Sequence, residues 1–577
     1  TKQTLEYETE RPNSLYDPSG SFQSINRRYD IVYGDVMLNF NYNIRRFDIA
    51  ATLGWTGRYE NMNNMRVSTN GGLVTENWFD LNASRYTASS TLQRMELLKT
   101  GYMGTLSLGW DNYLFLELTG RQERSSTLKD KSFFYPSANL SFLFSNAFRM
   151  PAWWNHGKLR LSYGIVGNAP ETYAANIIYE QGSDNGFTWN YVPSSWGNAN
   201  IRPEKKYEYE IGLESKFLNN RLGFDVSYYN NRVKDQILST PQPSSSGVKY
   251  VLMNVGEVAN EGWDISVSAT PVLTKNFRWD LTANYGIYRN KVVKLAEGVP
   301  YLEISNIGGG GAKIQAVEGR PMGDIYVQMP QMNENGDYLV SDKGLYLNQT
   351  DLQRVGNINP DGVGGLFSSF SYKNIFLDFS IDFRIGGDVI NEMYQYSTAS
   401  GLTPESLQYR DTEHGGLSYY YPGNNNASGT PVQVDPSSGA GPNGEIIYHD
   451  GIILPGVVAS TGEKNTRIIP AGYYYNQTYN WGTQSEQLTY RHSVFDNTYV
   501  KLRELTIGYQ FPEKLTAKLG MTRLSVSIFG RNLFYFYKAL KNYDAESSVG
   551  TSWASQAVVG GSTTATRNFG VSLRASF

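Results

Sequence analysis

Polar and apolar residues alternate along most of this chain with a period of two. In 113–120, Leu114, Leu116 and Leu118 point one way and Phe115, Glu117 and Thr119 the other. After Asn374, Leu377, Phe379, Ile381, Phe383 and Ile385 alternate with Asp378, Ser380, Asp382 and Arg384. Near position 280, Leu281, Ala283, Tyr285 and Ile287 alternate with Asp280, Thr282, Asn284 and Gly286. Successive side chains of a strand lie on opposite faces, so each segment has one apolar and one polar face. The helical period is nearly absent. The pattern predicts fifteen strands, near 29–43, 46–60, 96–110, 113–125, 134–145, 158–167, 203–217, 221–238, 258–271, 277–292, 363–373, 375–390, 495–511, 522–535 and 566–577. The long connections are then 61–95, 126–133, 168–202, 239–257, 293–362, 391–494 and 536–565. Asn335-Gly336 is a strong turn signal and predicts a small hairpin inside 325–347.

A water-soluble β-sandwich shows the same alternation. Three features separate the two readings. Many segments run to 12 residues or more, whereas soluble strands average about 5–6 and a bilayer crossing takes about 9–11 tilted residues. Tight turns at 43–45, 111–112, 218–220 and 372–374 alternate with long polar loops, as in outer-membrane barrels with short periplasmic turns and long outer loops. Aromatic residues gather near strand ends, as in Trp55 with Tyr59, Trp110 with Tyr113, and Tyr228 with Tyr229, where membrane interfaces favour them. The expected fold is all-β: a transmembrane antiparallel β-barrel with long extracellular loops.

Composition narrows this further. The chain has 577 residues, no composition break divides it, and only 18% are charged. Its net charge of −3 argues against nucleic acid as a partner. Cysteine is absent, which excludes a disulfide scaffold, zinc ribbons, iron–sulfur sites and thiol catalysis. No apolar run approaches the roughly 18 residues of a membrane helix. The first residues, Thr1-Lys2-Gln3-Thr4, show no signal peptide.

The final segment places Phe569, Val571, Leu573, Ala575 and Phe577 on one face. The terminal Phe577 reads as a membrane-insertion signal. Fifteen strands is an odd number, and bacterial single-chain barrels close with an even one. Open edges in hydrocarbon would leave unpaired N–H and C=O groups at several kcal/mol each, so strands upstream of this chain are expected. Residues 1–28 are then a loop or an upstream barrel remnant, and 29–577 the barrel.

Several motifs, in order along 130–577, resemble the SusC/RagA family of TonB-dependent transporters. They are Leu159-Arg160-Leu161-Ser162-Tyr163-Gly164-Ile165-Val166-Gly167-Asn168; Arg202-Pro203-Glu204-Lys205 with Tyr209-Glu210-Ile211-Gly212; and Asn254-Val255-Gly256-Glu257 through Gly262. Gly356-Asn357-Ile358-Asn359-Pro360 and Tyr372-Lys373-Asn374 follow, then Lys501-Leu502-Arg503-Glu504-Leu505-Thr506-Ile507-Gly508-Tyr509, Gly530-Arg531-Asn532-Leu533 and Tyr543-Asp544-Ala545-Glu546. The resemblance implies a barrel of about 22 strands, so fifteen here leaves seven outside this chain. It also implies a location in the bacterial outer membrane and active import of a large nutrient, an oligosaccharide or a peptide. A SusD-like lipoprotein would act as lid, a TonB complex would pull on a plug not found in this chain, and transporter–lid pairs could dimerise. A passive porin or surface adhesin on the same barrel is the alternative.

Binding such a substrate needs aromatic faces beside convergent polar groups. The outer-loop candidates are Trp189, Tyr191, Trp196, Tyr419, Tyr420, Tyr421, Tyr473, Tyr474, Tyr475, Trp481 and Trp553; each could equally pack the loops or meet the lid. Trp153 and Trp154 fall at a predicted periplasmic turn and read as interface anchors. Asp225, Asp280, Asp378, Asp382, Arg384, Arg523 and Arg574 line the polar face, where a plug and water are the expected partners. No cofactor, metal site or catalytic group is expected. His156, His414, His449 and His492 stand outside any metal-binding spacing. The segments 361–365 and 333–337 lack the full ligand pattern of a calcium loop and read as turns.

Overall fold

The computed structural model describes residues 2–9, 19–128, 132–184, 187–480, 490–561 and 565–577. It divides into two compact units, Thr1–Glu214 with Tyr229–Ala259, and Ser215–Tyr228 with Asn260–Phe577. Sixteen long strands dominate: β1 (Lys2–Thr9), β2 (Ser21–Ile44), β3 (Phe47–Leu73), β4 (Ser84–Trp110), β5 (Leu114–Ser125), β6 (Ser132–Phe142), β7 (Trp154–Asn168), β8 (Glu204–Phe217), β9 (Leu222–Pro241), β10 (Tyr250–Leu273), β11 (Phe277–Lys294), β12 (Gly362–Tyr372), β13 (Ile375–Ile385), β14 (Tyr499–Gln510), β15 (Arg523–Lys538) and β16 (Asn568–Ser576). All fifteen expected strands are present. The division between the units falls within β8, β9 and β10.

In the first unit, β1 to β7 pair antiparallel in chain order. The register aligns one apolar row after another: Leu38 with Leu53 and Gly104, Phe40 with Ala51 and Leu106, Tyr42 with Ile49 and Leu108. These rows continue as Leu106–Leu118–Ala138–Tyr163 and Leu108–Leu116–Leu140–Leu161. Val36, Leu38, Phe40 and Leu53 are exposed, so this apolar face has no protein cover. The opposite face is polar. Thr52 donates to Asn39 at 2.8 Å, Thr119 and Ser137 share a hydrogen bond of 2.6 Å, and Asn139 donates to Glu117 at 3.3 Å.

At the tight-turn end an aromatic chain runs along the sheet. Phe47 stacks on Trp110, Trp110 meets Tyr113 at 5.4 Å, and Tyr113 meets Phe142 edge-on. Phe142, Phe144, Trp154 and Trp153 continue it. The turns themselves use left-handed backbone: Arg45, Asp111, Asn112, Leu218, Asn219, Asn220 and Lys373 all have φ between 52° and 63°. Two-residue hairpins need this, because it matches the twist of the flanking strands.

In the second unit, β11 to β16 also pair antiparallel in chain order. Leu377 aligns with Ile507 and Ile507 with Ile528, which aligns with Val571. Ile528, Phe569, Val571 and Leu573 are each at least 65% exposed. On the polar face, Ser369 donates to Asp378 at 2.6 Å, Asp280 accepts from Thr270 and Arg278, and Arg523 donates to Gln510. Arg384 donates to the carbonyls of Ile358 and Gly386. Much of the charge assigned to a plug therefore already has partners within this chain.

Several boundaries differ from the sequence reading. The 61–95 loop is mostly sheet: β3 continues to Leu73 and β4 starts at Ser84, pairing Asn61 with Glu96 and Met65 with Leu92. Here both faces are mostly polar with scattered Met and Leu, so no continuous apolar face forms and the alternation vanishes while the backbone ladder persists. Much of 239–257 is also strand, since β9 runs to Pro241 and β10 begins at Tyr250. The expected 375–390 strand ends at Ile385, because Gly386 and Gly387 turn the chain with φ of 69° and 80°. Asp388–Asn391 then joins a separate small sheet. Among its described residues the 391–494 connection holds two short α-helices, Glu392–Ala399 and Ala471–Tyr479. β1 was not expected as a strand; it pairs along 21–28. It lies along the outer end of β2.

The exposed apolar face predicts a depth-dependent penalty for charge. Val571→Arg should destabilise the folded sheet by about 2–4 kcal/mol, whereas Ser572→Arg, on the other face, should cost well under half of that. Urea unfolding in phospholipid vesicles measures both, and equal costs would contradict the facing.

Candidate functional site

The second unit carries its loops as a layered structure. Residues Tyr301–Ile307, Ala312–Val317, Asp324–Val327 and Gln353–Asn357 form a four-stranded antiparallel sheet. Ala312, Ile314, Ile325 and Val327 point into a closed core with Ile307, Ile358, Ile390, Tyr490 and Val558. Alternation then turns Lys313, Gln315 and Tyr326 to the opposite face. There a groove of about 570 Å³ is lined by these residues with Tyr301, Gln328, Thr350 and Asp351. Lys313 is anchored to Glu303 at 2.7 Å. Two phenol rings beside an ammonium, two amides, a hydroxyl and a carboxylate give apolar walls with convergent polar groups, the general character of a small-molecule site.

A fully buried carboxylate braces one edge of this sheet. Asp324 accepts from Arg320 at 2.6 Å, Arg354 at 2.9 Å and Asn357 at 2.9 Å. Trp553 lies against Gly323, where φ is +93° and a Cβ would come within 2.8 Å of the indole. Only glycine fits both that backbone and that approach.

The sequence candidates fall into three groups. Tyr419, on the strand Leu417–Tyr420 of a second loop sheet, and Tyr421 just after that strand are buried. Tyr419 stacks on Tyr448 at 5.5 Å and donates to Asp450 at 3.1 Å, and burial raises its phenol pKa. Tyr420 is half-buried in the same strand. Tyr474 and Tyr475 belong to a tyrosine cluster on the Ala471–Tyr479 helix, with Tyr394, Tyr409 and Tyr479. Tyr475 donates to the Glu405 carbonyl at 2.8 Å and sits under the Arg410 guanidinium; burial pushes its phenol up to about 12. Within the described loops Tyr419, Tyr421 and Tyr475 are therefore internal packing. Tyr473 and Trp553 keep exposed rings.

The third group lies in the first unit. Trp189 and Tyr191 stand exposed on a hairpin of Glu180–Asp184 and Phe187–Tyr191. Trp196 meets Tyr179 edge-on. Trp481 lies outside the described residues. None of the described candidates lines the Tyr301–Tyr326 groove. Its residues were missed because 293–362 reads as one long polar loop, although Ala312-Lys313-Ile314-Gln315-Ala316-Val317 does alternate. The Asn335-Gly336 signal is a turn as expected, with Asn333 accepting from the backbone of Asn335 and Asp337.

Two further features bear on function. On the polar face of the first unit's sheet, near the tight turns, a concavity of about 680 Å³ is lined by Asn41, Asn43, Asp48, Ser107, Glu117 and Asn139. Ser418 and His449 form a hydrogen bond of 2.8 Å, but Ser418 is only 2% exposed, out of reach of a substrate carbonyl.

The second unit also joins two of the quoted motifs. Glu546 receives Lys501 and Arg503, each at 2.5 Å, and Arg503 also reaches Asp382. Tyr535 donates to Asp544 at 2.5 Å. These contacts tether the loop after β15 to the polar face of the sheet. Burial alone would raise the Glu546 carboxyl, but Arg503 and Lys501 outweigh it and hold it below the usual range. Its contribution is therefore complete above the unfolded carboxylate value of about 4.3 and fades as pH falls through the lower folded value. Glu546→Gln should remove the acid-dependent part of this tethering. Limited proteolysis of 539–565 between pH 3 and 7 reads it: wild type should open only at the acid end, the variant throughout.

The family model described as TonB dependent receptor-like, beta-barrel, matches residues 2–320. TonB-dependent receptor P3 of Formosa agariphila is 23% identical over 78% of this chain and 42% of its own length. TonB-dependent receptor P26 of the same organism is 30% identical over 51% of this chain and 32% of its own. TonB-dependent receptor SusC of Bacteroides thetaiotaomicron is 27% identical over 39% of this chain and 24% of its own. The chain thus spans less than half the length of these relatives. Its fold superposes over its whole length on 58% of a chain in the RagAB peptide transporter structure, with a TM-score of 0.71 at 18% identity.

Proposed function

The chain belongs to the TonB dependent receptor-like β-barrel family, a family of the bacterial outer membrane, and from that premise we propose that it forms the wall and outer loops of an active importer for an oligosaccharide or peptide. The observation that carries the reading is the family match over 2–320. In this reading a plug fills the lumen, and the concavity around Asn41, Asp48, Ser107 and Glu117 offers it hydrogen-bonding partners. Polar satisfaction there would seal the lumen yet leave the plug movable, because each contact exchanges with water at little net cost. A TonB complex pulling on that plug would open the path, and a SusD-like lipoprotein would close the outer mouth. Peptide transport belongs to RagAB by its description; its fold supports, for this chain, a substrate larger than an ion.

The Tyr301–Tyr326 groove is the proposed substrate contact. Phenol faces would stack on sugar rings or on peptide side chains. Lys313, Gln315, Gln328 and Asp351 would fix orientation through hydrogen bonds. The exposed rings of Tyr473, Trp553, Trp189 and Tyr191 remain proposed secondary contacts.

The test uses cells expressing the full-length gene product. Uptake of a labelled oligosaccharide or peptide should stop when a protonophore collapses the proton gradient; persistence would point to a passive porin. The double variant Tyr301→Ala/Tyr326→Ala should raise the half-saturating concentration about tenfold, since two aromatic contacts together contribute about 1.4 kcal/mol or more. An unchanged value would remove the groove from the substrate path.

A further inference from the structure

The charges around the Tyr301–Tyr326 groove are unevenly satisfied. Of its lining residues, Lys313 and Asp351 carry charge. The Lys313 ammonium lies 2.7 Å from the Glu303 carboxylate, so that cation is already neutralised within the protein. Asp351 is exposed, and among the described residues no cation or hydrogen-bond donor meets its carboxylate. It stands in the turn just before the Gln353–Asn357 strand, next to Thr350, which also lines the groove.

The register gives the groove a direction. Tyr301 pairs with Val317 at one end. Lys313 pairs with Tyr326, and Tyr326 with Arg354, in the middle. Gln353 pairs with Val327, which sets Asp351 at the far end, beyond Gln328. The Gln328 amide donates to the Gly311 carbonyl at 3.4 Å, and Gly311 to Val317 spans about 20 Å of strand. Tyr301 and Asp351 therefore mark opposite ends. Two further cations belong to this sheet, Arg320 and Arg354, and they share the single Asp324 carboxylate. That leaves one surplus positive charge in the rows of Gln315 and Tyr326, since Asp324 pairs with Gln315. Excess positive charge in the middle and an open carboxylate at one end direct a cationic group to Asp351 and turn it away from the middle.

We propose that the groove selects substrates carrying a primary ammonium, which pairs with Asp351 while the rest of the molecule lies over Tyr326 toward Tyr301. Asp351 is then a specificity-determining residue. The inference rests on the substrate role proposed for this groove. A primary ammonium brings three donors. The carboxylate accepts one or more, and Thr350 and Gln328 offer a hydroxyl and an amide oxygen at the same end. N-acetylation removes the charge and two of the three donors, so an acetylated analogue forfeits the ion pair while keeping its contacts with the rings. An exposed ion pair in water changes affinity by up to about fivefold. A glucosamine oligomer and a peptide N-terminus present the same group, and the test separates them.

Isothermal titration calorimetry of the detergent-purified full-length gene product tests the assignment at about pH 5.5, where amines are protonated and carboxylates ionised. The probes are two matched pairs: glucosamine hexamer against its fully N-acetylated form, and hexaalanine with a free against an acetylated N-terminus. In at least one pair wild type should hold the free amine about fivefold more tightly at low salt, and the preference should shrink in ~0.5 M salt, which screens an exposed pair. The pair that responds identifies the source of the amine. Asp351→Asn should equalise that pair without weakening the acetylated member, and Asp351→Glu should keep the preference. Heat-modifiable gel migration confirms that each variant is folded. No preference in either pair, or a preference that survives Asp351→Asn, would overturn the assignment. Tyr301→Ala/Tyr326→Ala distinguishes the two ways of failing. Binding weakened by this double variant but indifferent to Asp351→Asn keeps the groove and removes only the ammonium contact; binding that the double variant leaves intact removes the groove itself.

Discussion

Hydrocarbon cannot accept a hydrogen bond, and that one fact governs the structure. Every backbone N–H and C=O within the bilayer must find a partner in the chain. Antiparallel neighbours supply those partners from β1 to β7 and from β11 to β16. Once the ladder is fixed, the two-residue period sends half of all side chains into lipid and half into the polar interior. Leu38, Ile528 and Val571 are exposed for this reason, and would be anomalous in a soluble domain.

Outside the membrane the constraint relaxes, and different physics organises the chain. β3 and β4 continue as a ladder with polar residues on both faces. The loops of the second unit build ordinary cores: aliphatic around Ile314 and Ile325, aromatic around Tyr475 and Tyr479. Charge ties these layers to the sheet. Lys501 and Arg503 of β14 reach Glu546 in the loop after β15, and Arg503 also holds Asp382 of β13. Partners such as these fix position more than they add stability. They explain why two motifs separated by some forty residues belong together.

The same division separates what binds from what packs. Aromatic abundance in the loops suggested many substrate contacts, yet Tyr419, Tyr421 and Tyr475 serve as loop core. Tyrosine suits that role because its ring buries well while its hydroxyl finds a carbonyl or carboxylate. Tyr475 does so with Glu405, and Tyr419 with Asp450. The groove between Tyr301 and Tyr326 owes its shape to a small sheet whose other face is closed by the aliphatic core.

Alternation, strand length and turn chemistry in the sequence determined the all-β membrane fold and all fifteen expected strands, because each strand's facing is set by a local period that any window displays. The tight turns were legible for the same reason: Asp111-Asn112 carries its backbone preference within two residues. Only tertiary structure decided where polar strands continue past the membrane, since a ladder needs a partner, not a pattern. It alone also decided which loop tyrosines are buried, which charges meet, and that Tyr301, Lys313 and Tyr326 share a groove. Those outcomes depend on contacts between residues distant in sequence, and no local period records them.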